Sequence, residues 1–141
     1  DSAGPGKHRG GCGAIYEIEL LEKEAEAFLF GERGKYAPAG VMEGRNGALN
    51  VFTYPEGNDE VKPPMVSKMV GLRLKNGQRI RLETPGGGGY GNASDRDPTT
   101  ISEDVRLGYV SAAAAYKDYK CVVSEEGILD ISATRNLRRQ T

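Results

Sequence analysis

From Ala14 to Leu21 apolar and polar positions alternate. Ala14, Tyr16, Ile18 and Leu20 fall on one face, and Glu17 and Glu19 on the other. A period of two with carboxylates on the open side predicts a half-buried strand. Lys23-Glu24 interrupts the run. Alternation then resumes to Phe30, with Glu24 and Glu26 opposite Ala25, Ala27 and Leu29, so two strands joined as a hairpin are expected. One amphipathic helix over 17–28 competes, because Glu, Leu, Lys and Ala all favour helices. Gly31, Gly34, Pro38, Gly40, Gly44 and Gly47 then punctuate a segment that fits no regular element. A short strand is expected over 48–54, closed by Pro55-Glu56-Gly57-Asn58, and Pro63-Pro64 forces an extended entry to the next element. Val70, Leu72 and Leu74 next alternate with Arg73 and Lys75; Ile80 and Leu82 alternate with Arg79, Arg81 and Glu83. Asn76-Gly77 between them suits a type I′ turn and predicts a second hairpin.

Beyond residue 98 the texture is helical. Thr100-Ile101-Ser102-Glu103 reads as a capping box opening a short helix to Leu107, with Gly108 placed for a left-handed stop. Ser111 is expected to cap an alanine-rich helix to about Asp118, with a short strand after it at Cys121-Val122-Val123. Asp130 should cap a last helix through Leu137, with Arg138-Arg139 at the negative end of its dipole. Strands first and helices last predict an α+β fold. In this reading an antiparallel, β-rich segment over 1–98 carries a long Gly/Pro-rich loop, and a short helical tail fills 99–141.

Composition narrows the function classes. The 141 residues fit one domain, able to bury a real core. Nineteen Lys and Arg against 20 Asp and Glu leave a net charge of -1, so no global field draws in nucleic acid or an acidic membrane. Cys12 and Cys121 belong to no CxxC pattern and read as free thiols of a reducing, cytoplasmic compartment. No apolar run approaches a signal peptide or a membrane span. The opening Asp1-Ser2-Ala3-Gly4 reads as mid-protein sequence, as expected of a piece of something longer.

The 20 glycines are well above average usage, and many sit in two clusters. Gly4-Pro5-Gly6-Lys7-His8-Arg9-Gly10-Gly11-Cys12-Gly13 is basic, and Glu83-Thr84-Pro85-Gly86-Gly87-Gly88-Gly89-Tyr90-Gly91 holds four glycines in succession. Such runs serve positive φ or close approach of another group. Gly86, Gly87, Gly88 and Gly89 could present an anion nest or pack tightly beside a site. They lack the Lys-Ser/Thr ending of a P-loop and the spacing of a dinucleotide fingerprint. Arg9 could fork onto a carboxylate or phosphate of a substrate, or onto a structural carboxylate. His8, the sole histidine, cannot build a metal site or a triad without partners elsewhere, but it could contact an anion. Tyr90 could donate from its loop or be buried and satisfied. The candidate contact set is therefore His8, Arg9, Gly86 to Gly89 and Tyr90, with no catalytic residue or metal ligand assigned.

These stretches resemble the hydantoinase B/oxoprolinase family. Residues 1–13 are similar to its glycine-arginine entry segment, and Arg33, Pro38, Gly40 and Gly44 to Gly47 to its basic, proline- and glycine-bearing loop. Glu83 to Gly91 is similar to its Thr-Pro-Gly-Gly-Gly-Gly-Tyr-Gly signature. Arg96-Asp97-Pro98, Asp104-Val105, Gly108, Val110-Ser111, Asp118-Tyr119 and Val122-Val123 resemble its tail. Two positions depart: Asn92-Ala93 stands where the family often has Asp-Pro, and Lys120 where it often has Gly. The resemblance implies the C-terminal part of a B-type subunit in an ATP-dependent cyclic-amide hydrolase. It implies an A-type partner subunit, a longer N-terminal part carrying His and Asp metal ligands, and ATP with a divalent metal in the complete complex but no cofactor in this stretch. A subunit of a related ATP-dependent ketone carboxylase, or a non-catalytic assembly module, are the alternatives.

Overall fold

In the computed structural model, which describes residues 1–140, the alternating segments are all strands: β1 (Ile15–Glu19), β2 (Glu24–Phe30), β3 (Val51–Glu56), β4 (Asp59–Val61), β5 (Lys68–Lys75) and β6 (Arg79–Glu83). The helices are α1 (Pro98–Arg106), α2 (Ala112–Tyr119) and α3 (Ile131–Arg139). All strand pairing is antiparallel, so the fold is α+β, and the helix that competed for 17–28 does not form. Two compact units divide the chain, one of residues 1–12, 38–48 and 86 onward, the other of 13–37 and 49–85. The glycine segments thus group with the helices, across the 98/99 division read from sequence.

In the unit of 13–37 and 49–85 neither expected hairpin exists. β1 pairs with β6, from Ile15 opposite Glu83 to Glu19 opposite Arg79, and β2 pairs with β5, from Glu24 opposite Lys75 to Phe30 opposite Lys68. The two ladders are one antiparallel ribbon with a corner in it. At the corner Leu20 N–H donates to the Gln78 carbonyl at 3.0 Å, Gly77 N–H to Leu20 at 2.8 Å, and the Asn76 amide to Leu21 at 2.5 Å. Asn76-Gly77 does bend the chain, with Gly77 at φ 77°, but each arm takes its partner from the other corner strand. Period two fixes which face a strand buries and leaves its partner open. β3 adds to β6, with Phe52 opposite Leu82, and runs on through Pro55 into a small hairpin with β4 that the sequence reading missed. The folded ribbon closes on Phe52, Leu72 and Leu74, joined by Ala27, Leu29, Met69 and Ile80.

In the other unit, α1 and α2 pack around Ile101, Val105, Val110, Ala115, Tyr119 and Cys121. Asp97, rather than Thr100, caps α1: its carboxylate accepts from Thr99 N–H at 2.7 Å, and Pro98 occupies the first helical position. Proline there costs no hydrogen bond and presets φ, so the start moves earlier. Glu103 is left to pair with Arg106 at 2.6 Å. Gly108 (φ 75°), Ser111 and Asp130 stop and start the helices as the sequence indicates. The strand expected at Cys121–Val123 reduces to one bridge, Val123 to Leu129. No helix among the described residues is long and apolar enough to cross a membrane.

Beside these helices three extended glycine segments run together. A Cβ on Gly86 would collide with the Ser2 carbonyl, one on Gly88 with Ala39, and one on Gly89 with Pro5, while Gly87 faces Gly11. The neighbour changes at each step and returns to the 2–5 segment on the fourth, the geometry of a three-residue-per-turn extended helix. None of Gly86 to Gly89 has positive φ, so close approach, not a turn, is what demands glycine here.

Candidate functional site

The glycine bundle is held by main-chain bonds. Gly87 N–H donates to Gly11 at 2.9 Å, Gly89 N–H to Arg45 at 2.9 Å and Gly91 N–H to Val41 at 3.0 Å; Gly4 N–H donates to Gly87 at 2.8 Å. Tyr90 and His8 exchange both of theirs at 2.9 Å. With the Gly87, Gly89, Tyr90 and Gly91 donors spent on carbonyls, no run of successive N–H groups is left to cradle an anion.

Arg9 lies in a partly buried ion cluster. Its Nε and Nη2 reach the two oxygens of Asp104 at 3.1 and 3.2 Å, and Nη1 reaches the Gly10 carbonyl at 3.0 Å and Cys12 Sγ at 3.1 Å. Its guanidinium carbon stands 5.2 Å from the Tyr109 ring centroid. Burial opposes the charge on Arg9, but the hydrogen bond and charge of Asp104 outweigh it and hold the guanidinium above its ordinary pKa. Arg96 donates to the same carboxylate at 2.8 Å and to the Lys7 carbonyl at 3.2 Å. Two cations on one carboxylate leave this cluster net positive. Arg45 of the second glycine segment pairs with Asp118 of α2. Between bundle and helices opens a cleft of about 290 Å³, lined by Pro5, Arg45, Gly47, Val110, Asp118 and Tyr119. Burial raises the Tyr119 hydroxyl pKa, with Arg96 and Arg9 pulling the other way.

His8 and Tyr90 are the nominated side chains that face solvent, with ring centroids 6.0 Å apart. Val41 bridges to Tyr90, and the adjoining turn puts Met42 and Glu43 at φ 50° and 71°, strained values for residues with a Cβ. The structure therefore brings His8 and Tyr90 together at the surface, packs Gly86 to Gly89 within backbone, and commits Arg9 to Asp104. Asp104 is what sequence reasoning missed. Its signal was available: it shares the buried stripe of α1 with Ile101 and Val105, and a carboxylate there demands a cation. Among the described residues no group of three or more His, Cys, Asp or Glu is placed to hold a metal ion, so this donor set does not fit the implied metal.

Comparison with known proteins agrees with this sequence pattern. Residues 1–93 match the Hydantoinase B/oxoprolinase family. The caprolactamase subunit beta of Pseudomonas jessenii is 35% identical over 141 residues, covering 95% of this chain and 23% of its own. The crystal structure of the ATP-dependent caprolactamase from that organism is similar at TM-score 0.77 and 32% identity, covering 99% of this chain and 24% of that one. The nucleotide-free structure of acetone carboxylase shares the fold at TM-score 0.82 and 22% identity, over 99% of this chain and 23% of its own. The chain spans about a quarter of the length of the relatives that it matches end to end, and 7% of the 5-oxoprolinase 1 of Arabidopsis thaliana. It belongs to the Hydantoinase B/oxoprolinase family.

Proposed function

We propose that this chain is the C-terminal portion of a B-type subunit of an ATP-dependent cyclic-amide hydrolase, supplying a wall of the active site and part of the subunit interface. One observation carries the reading in a chain of this family: bare backbone is packed into a rigid array beside a polar cleft. A glycine bundle contributes shape without side-chain chemistry, which suits a wall. His8 and Tyr90, paired at its surface, offer an imidazole and a phenol able to hydrogen bond an amide carbonyl or N–H. Arg9 and Gly86 to Gly89 act by holding that pair in place. ATP, the divalent metal and the nucleophile belong to polypeptide beyond this chain and to an A-type partner, in a cytoplasmic complex without nucleic acid or membrane.

The test is to assay the complete subunit with its A-type partner and ATP against hydantoin, 5-oxoproline and caprolactam. Ring opening by the complex, with none by the 141 residues alone, is the expected result; turnover by the chain alone overturns the wall role. The fold shared with acetone carboxylase favours one second reading, a ketone carboxylase subunit. ATP-dependent consumption of acetone with bicarbonate, and no ring opening, would establish it instead.

A further inference from the structure

β1 is an edge strand whose five residues are all exposed. Thr84 N–H donates to the Ala14 carbonyl at 2.8 Å, and Leu20 N–H donates to Gln78. Even-numbered residues of this stretch therefore bond β6, and Ile15, Glu17 and Glu19 aim N–H and C=O away from the sheet. Beside that edge lies an apolar groove of about 220 Å³, with Tyr16, Ile18 and Phe28 at its lips and Phe52 and Leu72 among its lining. Ile15, Tyr16, Ile18 and Phe28 are each more than half exposed, although the last three line the groove.

We propose that this edge is completed by an added antiparallel or parallel strand, supplied by the part of the same subunit that lies outside this chain. A strand is the occupant that satisfies both features at once, because it pairs with the open backbone row while alternate side chains fill the groove. The edge carries only two carboxylates, Glu17 and Glu19, as guards. It has no Lys or Pro, and its carboxylates are neutralised by Arg81 on Glu17 and Arg79 on Glu19, both at 2.7 Å. Each of those carboxylates accepts from its arginine through one oxygen and keeps acceptor capacity, so the incoming segment is apolar at the positions facing Tyr16 and Ile18, with Lys or Arg opposite Glu17 and Glu19. The same subunit is the source for two reasons. On the proposed reading of this chain as part of a longer subunit, the relatives that match it end to end are about four times its length. A groove open to the core also needs its cover while the unit folds, when only a tethered segment is at high effective concentration.

The experiment is amide hydrogen exchange on the complete subunit. Ile15, Glu17 and Glu19 are expected to exchange about 100-fold more slowly than exposed loop amides. Exchange at loop rates overturns the proposal. Protection that fades on dilution, with a dimer in sedimentation, overturns it in favour of a second copy. Glu17→Pro removes an outward donor while sparing the β6 ladder, and should release Ile15 and Glu19; unchanged protection in that variant means the cover is not a strand. The measurement on the unaltered subunit decides even if the variant does not fold, and ring-opening activity plays no part in it.

Discussion

Arg9 and Asp104, 95 residues apart in sequence, meet through two side-by-side hydrogen bonds that tie the first glycine segment to α1. The pair is asymmetric, because Arg96 shares the carboxylate. Asp104→Ala leaves two facing guanidinium groups without a counter-charge and should cost about 3–5 kcal/mol. Arg9→Ala leaves Asp104 paired with Arg96 and should cost about 1–3 kcal/mol. Urea unfolding of the two variants checks the order, and equal losses would count against a shared carboxylate.

Glycine positions that look alike in sequence should differ sharply when changed. Gly86→Ala and Gly89→Ala drive a methyl into the carbonyls of Ser2 and Pro5, and are expected to lose about 1–3 kcal/mol or fail to fold. Gly11 has open space around it and ordinary φ, so Gly11→Ala should be neutral or stabilising by about 0.4–1 kcal/mol. Denaturation midpoints of the three variants give the comparison.

Lys120 caps α2 in the left-handed region, at φ 53° and ψ 46°. Glycine removes the Cβ penalty there, partly offset by a more flexible unfolded chain. Lys120→Gly should therefore raise stability by about 0.5–1 kcal/mol, read as a higher Tm.

The two thiols should react on different schedules. Cys12 is exposed, whereas Cys121 is buried and its pKa is raised by that burial, with the Thr134 hydrogen bond opposing. A thiol reagent at neutral pH should label Cys12 in the native protein and Cys121 only when the helical core opens. Rapid double labelling would contradict the packing around Tyr119 and Ile101.

Much of this was legible in the residues, and the rest was hidden for identifiable causes. Ser111, Asp130 and Gly108 declare helix ends because capping is local chemistry. Asp97 was hidden because Thr100 and Glu103 offered a second, equally local box, and the contest was settled by Pro98. The strands at Tyr16–Ile18 and Leu72–Leu74 were visible as alternation, yet their partners were not: an Asn-Gly pair suits a hairpin tip and a corner equally well. The glycine bundle was opaque for another reason. Gly86 and Gly89 face one neighbouring segment, at Ser2 and Pro5, and Gly44 and Gly47 keep the same spacing, but each segment completes so few turns that no period of three stands out. Arg9 drew notice as a charged residue among glycines, while its counter-charge lay on a helix that the sequence places far away.

Because the bundle assembles 1–12, 38–48 and 86–91 from separated stretches of chain, it bears on the order in which the molecule forms. α1, α2 and α3 contain mostly nearby contacts and can form early, whereas the glycine segments gain nothing until two long intervening loops have closed. With few large apolar side chains to collapse on, they are poor nuclei. The array is thus a late event, and a nascent polypeptide holds residues 1–12 unassembled until Gly91 has been made.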